Sequence, residues 1–461
     1  MNSFRFATRA PCPVKFESLS GRFDMEERYR NGKRTATPKE DKMHSKWTER
    51  RKPRAGNDFD GRDDYDVDYG RVVHSSAFRR LQDKTQIHQG DSDVPRTRLT
   101  HSIEVAHIAK GIGQRLQVIH PEGPIANLVS SDSLVQVIGL CHDLGHPCGG
   151  HAGEDALNAC LPFEGNGQTL RILSRLMGHT PGYGANLTRR TLLGILKYPI
   201  AYSDAKRGDT PPPRVGISGQ PLIGPEHKPP KCYLDEERDV VDWMFEPLAH
   251  DRKIVEKDMI KSFDASLMDL ADDFAYSAAD LDDAIALGMM ERDWIETDAP
   301  ASVWEGFVEH LGIISDDEGQ WSYERVLDSF MSGGQGRRKM TGSIINYLLS
   351  GVAVHTDDRM EDDLYRYRVV LKEDQSLLVK TLKDSVFRRV IEAPSVQLER
   401  IRIQKQIIDV YDAMTYRPML YLPEKHRAIY DKSENGNRVV ADYISGMTDR
   451  FLAKTHRTMF S

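Results

Sequence analysis

The chain has 461 residues, 39% of them hydrophobic and 29% charged, enough apolar material for a large core and for two or three domains. Its 63 basic and 70 acidic residues leave a net charge of −7, which excludes wholesale attraction to nucleic acid or an anionic membrane but leaves room for local basic pockets. No apolar run approaches the ~20 residues of a membrane span. The start, MNSFRFATRAPCPVKF, has no apolar signal core. Five cysteines without a CxxC pair fit a reduced, cytoplasmic protein.

Residues 1–66 are polar, charged and without periodicity, and read as a flexible or peripheral arm. Met25 and Met43 within it are candidate natural starts, so residues 1–42 stand apart from the rest. Helical patterning begins near residue 67. LTHSIEVAHIAKGIGQRL (99–116) sets Ile103, Ala106, Ile108 and Ile112 near one face. SDSLVQVIGLCHDLGH follows, capped by Ser131 or Asp132. TLRILSRLMG (169–178) and TRRTLLGILKYP (188–199) repeat the pattern. Residues 199–235 are rich in Pro and Gly and predict a long loop of the functional or disordered kind. Helical periodicity returns in VVDWMFEPLAHD and KSFDASLMDLADDFAYSAADLDDAIALGMM. The C-terminal third alternates helices (SIINYLLSGVAVH, LERIRIQKQIIDVYDAM, NRVVADYISGMTDRFLAK) with a short strand or hairpin in DDLYRYRVVLKEDQSLLVKTL. There is no internal repeat and no βαβ alternation, so the fold class is mainly α.

The stretch GLCHDLGHPCGGHAGED (139–155) concentrates His142, Asp143, His146, His151, Glu154 and Asp155. Adjacent helical residues point about 100° apart, so His142 and Asp143 share a ligand only at a helix end. Gly145 and Pro147 supply that end. Imidazole and carboxylate together suit a divalent metal. Two ligands do not close a site. His101, in RLTHSIEV, and a carboxylate of DLADDFAYSAADLDD are candidates for the others. A His-Asp dipeptide alone is common and commonly inert. Three histidines among glycines beside an apolar helix carry more weight.

RRLQDKTQ, RTRLTHSIEV, GLCHDLGHPCGGHAGE, FEGNGQTLRI, LLGILKYP, ADDFAYSAADLDDAI and DYISGMTDR occur in this order across residues 67–455. Together they resemble the dGTP triphosphohydrolase (dGTPase) family of HD-domain metal phosphohydrolases. The resemblance implies an HD-domain helical fold with a few short strands and a long Pro/Gly-rich loop. It implies an HD core over 67–300 and a C-terminal helical region, 301–461, that packs on the core and carries oligomer contacts. Residues 1–66 fall outside it.

By this resemblance His101, His142, Asp143 and Asp272 hold one divalent metal. Manganese and magnesium come first, and the donors also tolerate iron, cobalt, nickel or zinc. Asp273 competes with Asp272, but only Asp272 has Tyr276 and Asp280 at i+4 and i+8, one helical face, which the family places near the sugar 3′-OH. His151 and Glu154 form the implied catalytic pair, and His146 joins their proton network or the phosphate pocket. Arg98, one turn before His101, reaches phosphate oxygens. Gln86 matches a family glutamine that reads the deoxyribose. Lys197, Tyr198 and Lys231 match residues that close over the triphosphate. Cys141 and Cys148 are packing residues.

The implied activity is hydrolysis of a deoxynucleoside triphosphate, preferably dGTP, to deoxynucleoside and tripolyphosphate by a homo-oligomer, with a hexamer as the family's tendency. Three other readings share parts of the pattern. Another HD nucleotide phosphohydrolase needs the metal ligands but no triphosphate clamp. A dNTP sensor or single-stranded nucleic acid-binding protein needs no His151–Glu154 pair. The basic stretches 27–34 and 49–54 leave single-stranded DNA open as a partner against a merely solvated tail. A structural helical protein needs no metal.

Overall fold

The computed structural model describes residues 46–54, 60–86, 96–206, 208, 210–217, 219–314 and 320–460. Most of the expected arm, with its two candidate start methionines and the basic stretch 27–34, lies outside the described residues. Its described part packs on the core. Trp47 is buried, and buried Arg50 pairs with Asp68 while donating to the carbonyls of Asn186 and Asp64, each at 2.8 Å. Helix α1 (Asp64–Val73) starts inside the expected arm, capped by Asp63. The segment looked unstructured because its anchors are charged, and several of their partners, Asn186, Asp239 and Asp362, lie more than 100 residues away.

Helix α2 (Arg98–Ile119) opens on Thr97, whose side chain accepts from the Thr100 amide. Its buried stripe runs His101, Val105, Ile108, Ile112, Leu116. Ile103, expected on that face, is 50% exposed. A 3.6-residue period counted from His101 finds the stripe; apolar residues alone do not. Helix α3 (Asp132–Cys141) is capped by Ser131 and buried almost all round. Gly139 faces the α2 backbone, where a Cβ would sit 2.7 Å from the Ala106 Cα. Helices α4 (His151–Cys160), α5 (Gly165–Arg171) and α6 (Arg189–Ile195) follow. The Pro/Gly-rich loop contains an α-helical turn, Tyr202–Ala205, a 3-10 turn, Pro225–His227, and a small antiparallel pair, β1 (Arg214–Val215) and β2 (Pro221–Leu222).

Helix α7 (Phe263–Ala275) packs against α2 and α3, and these three helices form the centre of the main core. In the C-terminal third, VAVHT is a strand. β3 (Val352–Thr356) pairs antiparallel with β4 (Tyr367–Leu371), register Val352↔Leu371. The expected hairpin in 362–382 is therefore β4 followed by helix α8 (Glu373–Val386), and the expected helix through His355 stops at Ser350. Alternating β-branched residues favour strand once Gly351 ends the helix.

A second apolar cluster joins α4 to the C-terminal helices α9 (Pro394–Tyr416), α10 (Gly436–Ser445) and α11 (Asp449–Phe460). Its members include Cys148, Leu157, Phe163, Ile407, Val410, Ile444 and Leu452. The residues from Lys46 onward form one compact unit. Among the described residues no helix is long and apolar enough to cross a membrane.

Candidate active site

The segment between α3 and α4 carries His142, Asp143 and His146 past the ends of α2 and α7. His101 Nε2 lies 3.1 Å from Asp272 Oδ1, and His142 Nε2 lies 3.7 Å from the same oxygen. One donor atom from each of these three residues falls within 4.8 Å of the others. His142 Nδ1 is 2.7 Å from the Gly139 carbonyl, which can only accept. Nδ1 must therefore carry a proton, and a ring with that single proton offers its Nε2 lone pair to a ligand. That nitrogen is buried without a hydrogen-bond partner. A bare imidazole nitrogen facing a carboxylate and a second imidazole fits a divalent cation. Burial opposes charge on His101, yet Asp272 pushes its imidazole up to about 9. The same negative field favours a cation, which would displace that proton on binding.

Asp143 stands beside this group. Its Oδ1 is 3.5 Å from His142 Nε2 and 3.0 Å from His146 Nδ1, and its Oδ2 accepts from Arg98 Nη1 at 2.5 Å. Burial alone would raise the Asp143 carboxyl, but His142, His146 and Arg98 hold it well below the usual range. Asp273 turns away to pair with Lys383 on α8, so Asp272 is the residue that meets the histidines.

After Ala275 the helix widens into a π-turn, Tyr276–Asp280. The straight face expected for Asp272, Tyr276 and Asp280 is thus interrupted; such widenings often mark functional sites. Tyr276 is half-buried under Lys383, whose Nζ lies 5.8 Å from its ring centroid. Asp280 is fully buried, neither carboxylate oxygen has a hydrogen-bond partner, and burial pushes it up to about 7.

A second group adjoins the first. His151 Nδ1 lies 2.7 Å from Glu154 Oε2, and Glu154 Oε1 accepts from the Gly165 amide at 2.9 Å. Burial opposes the Glu154 charge, but His151 and Lys231 hold it well below the usual range. His146 packs edge-on to His151 at 5.0 Å between ring centroids. Burial lowers His146 to about 4, which keeps it neutral.

Cations border both groups. Lys231 Nζ is 2.9 Å from Glu164 Oε1 and 3.6 Å from Glu154 Oε1. Lys197 Nζ is 2.7 Å from Asp269 Oδ1 and 3.7 Å from Asp272 Oδ2. Tyr198 lies between Lys231 and Lys261, each 6.0 Å from its ring centroid. Gln86, half-buried, follows the bridge between Thr85 and Thr97, and its Oε1 is buried without a partner. Cys141 and Cys148 are buried apolar packing residues.

Sequence reasoning missed Glu164, which caps α5 and receives Lys231, and Asp269, which receives Lys197. It also missed Lys84, buried and donating to the His146 carbonyl at 2.6 Å. Glu164 carried a signal: an acid just before Gly165 opens FEGNGQTLRI as an N-cap. Lys84 and Asp269 carried none.

An HD domain matches residues 98–183, and a phosphohydrolase-associated domain matches 369–458. The first match spans His101, His142, Asp143, His146, His151 and Glu154, and the class is HD-domain phosphohydrolase, a hydrolase. A deoxyguanosinetriphosphate triphosphohydrolase-like protein of Shewanella loihica is 37% identical over 428 residues, 87% of this chain and 93% of its own. One of Shewanella halifaxensis is 36% identical over 445 residues, 90% of this chain and 96% of its own. One of Aliivibrio fischeri is 37% identical over 432 residues, 87% of this chain and 94% of its own. The chain belongs to the family of deoxyguanosinetriphosphate triphosphohydrolase-like proteins.

Proposed function

We propose that the protein hydrolyses a deoxynucleoside triphosphate, with dGTP preferred, to deoxynucleoside and intact tripolyphosphate. The observation that carries this reading is the adjacency of two groups. A buried His101–His142–Asp272 cluster suits a divalent cation, and a His151–Glu154 pair beside it suits proton transfer. In this reading Asp143 completes the ligand set, and manganese or magnesium is the native ion. The bound ion supplies Lewis acidity to phosphate and to water.

The chain's own groups do the rest. Water adds to the α-phosphorus, the bond to the 5′-oxygen breaks, and that oxygen needs a proton. The exposed His151 imidazole delivers it, and the buried Glu154 carboxylate orients the ring and raises its basicity. Neutral His146 extends the network. Arg98, with Nε buried and unpartnered, turns toward phosphate oxygens. Lys197, Tyr198 and Lys231 receive the outer phosphates, where positive charge stabilises the departing polyanion. Gln86, Tyr276 and Asp280 take the deoxyribose; unpaired carboxylate oxygens on Asp280 leave a site for a sugar hydroxyl.

Substrate choice is tested with a panel of dNTPs, GTP and dGMP in Mn²⁺ and Mg²⁺, followed by chromatography of the nucleoside, with Asp143→Ala as control. The proposal expects turnover of triphosphates only, fastest with dGTP. Release of orthophosphate from dGMP would instead identify another HD phosphohydrolase.

A further inference from the structure

The His142–Gly150 segment carries the site but makes few backbone bonds of its own. Leu144 reaches Cys141, His146 reaches Asp143, and Gly150 reaches Pro147. All three are local turns. Gly149 and Gly150 adopt φ of 71° and 55°, conformations that favour glycine. Such a segment keeps its shape only if something outside it holds it.

Thr169 Oγ1 donates to the His142 carbonyl at 3.4 Å, and three further anchors hold the backbone of Gly145–Gly149. The Gly145 amide donates to Thr169 Oγ1 on α5 at 2.9 Å. The other two lead to the C-terminal helices. Lys84 Nζ donates to the His146 carbonyl at 2.6 Å and to the Ser445 carbonyl at the end of α10 at 3.0 Å. Asp449, at the start of α11, accepts from the Gly149 amide at 3.0 Å through Oδ1 and from the Thr85 amide at 2.9 Å through Oδ2. The Lys84 carbonyl in turn accepts from the Arg98 amide at 3.2 Å, which ties the same pair of residues to the start of α2. Lys84 is 3% exposed. A buried ammonium is costly to keep. Here its tetrahedral donors sit between two carbonyl oxygens that would otherwise repel each other.

We propose that Lys84 and Asp449 form one clamp through which α10 and α11 hold the His146–Gly150 segment, and that both are positioning residues for the His146–His151 side of the active site. The kinetic consequence rests on the hydrolase reading above; the mechanical one does not. The phosphohydrolase-associated region thereby becomes part of the catalytic apparatus without touching substrate.

The test compares the full chain with Lys84→Met, Asp449→Asn and the double variant. Hydrogen exchange of the peptide spanning 142–155 is the first readout, with the β3–β4 pair as internal reference. The clamp predicts faster exchange in 142–155 in each single variant and unchanged exchange in β3–β4. The second readout is dGTP hydrolysis. Displacing His151 by a fraction of an ångström predicts a kcat about 10- to 100-fold lower with KM nearly constant. The double variant should lose little more than the worse single, since both open the same clamp. Asp449→Asn keeps the side-chain shape and tests the idea should Lys84→Met not fold. Unchanged exchange in 142–155, or losses that multiply independently, would overturn it. A wild-type protein inert toward dGTP would refute the functional reading alone, because the exchange result stands by itself.

Discussion

Glu154 and His151 are bonded at 2.7 Å yet live in different media: the His151 side chain is 65% exposed and the Glu154 side chain 2%. The carboxylate is fixed from below by the Gly165 amide, so it serves as a rigid post for a ring that faces solvent. Removing the ring should therefore cost activity more than stability, since Glu154 keeps the Gly165 amide and Lys231 as partners. His151→Ala is expected to lower kcat by about 10²- to 10⁴-fold, the usual worth of a general acid or base. Its melting temperature should stay within a few degrees of wild type. Steady-state kinetics beside calorimetry checks this, and a folded variant with near-normal kcat would remove His151 from the chemistry.

Among the described residues two neighbouring groups have metal-ligand geometry, His101–His142–Asp272 and His146–His151–Glu154. The first is assigned the cation because His142 Nε2 is buried without a hydrogen-bond partner, whereas in the second His151 Nδ1 is already bonded to Glu154 Oε2 at 2.7 Å. His142→Ala and Asp272→Asn should each weaken Mn²⁺ binding by at least about 100-fold, more than changes to residues that only orient the ligands. His151→Ala should leave it nearly unchanged. Titration calorimetry of the three variants decides between the groups, and loss of binding in His151→Ala alone would reverse the assignment.

Lys231 is positioned to meet phosphate charge while resting on Glu164. Lys231→Met should raise KM for dGTP about tenfold, worth about 1.4 kcal/mol, with a smaller change in kcat. It should also lower stability, since Glu164 is left buried with its charge partner gone. A kcat loss at constant KM would show that Lys231 acts in the transition state alone.

Burial lowers the Lys84 ammonium from 10.5 to about 8. Between pH 8 and 10.5 the unfolded chain binds the proton and the folded chain does not. Stability contributed by this group therefore rises with pH across that window, by up to about 1.4 kcal/mol per unit, and is flat below it. Lys84→Met lacks the rise. Denaturant unfolding of both proteins from pH 7 to 10.5 should show wild type gaining relative to the variant; parallel curves would mean that Lys84 titrates normally.

The chemistry-bearing residues were legible because they cluster in chain order. His142, Asp143, His146, His151 and Glu154 lie within thirteen positions, and helix-end geometry at Gly145 explains how they converge. Residues whose partners are far along the chain were not legible. Lys84 meets Ser445 and Asp269 meets Lys197, contacts that local periodicity cannot report. The helical turns were readable from spacing, but the π-turn at Tyr276–Asp280 has no sequence period of its own. VAVHT was absorbed into the helix before it because its strand partner, β4, lies beyond an intervening turn. Arg50 looked like part of a solvated arm because a charge gives no sign of being buried until Asp68 is placed against it.

The bond that breaks is the most direct test of the proposed reaction. Wild-type protein is incubated with dGTP and Mn²⁺ in H₂¹⁸O, and the phosphorus products are read by ³¹P NMR and mass spectrometry. Attack at the α-phosphorus predicts deoxyguanosine without label and intact tripolyphosphate carrying one ¹⁸O, with neither formed by Asp143→Ala. Pyrophosphate with dGMP, or label in the nucleoside, would contradict it.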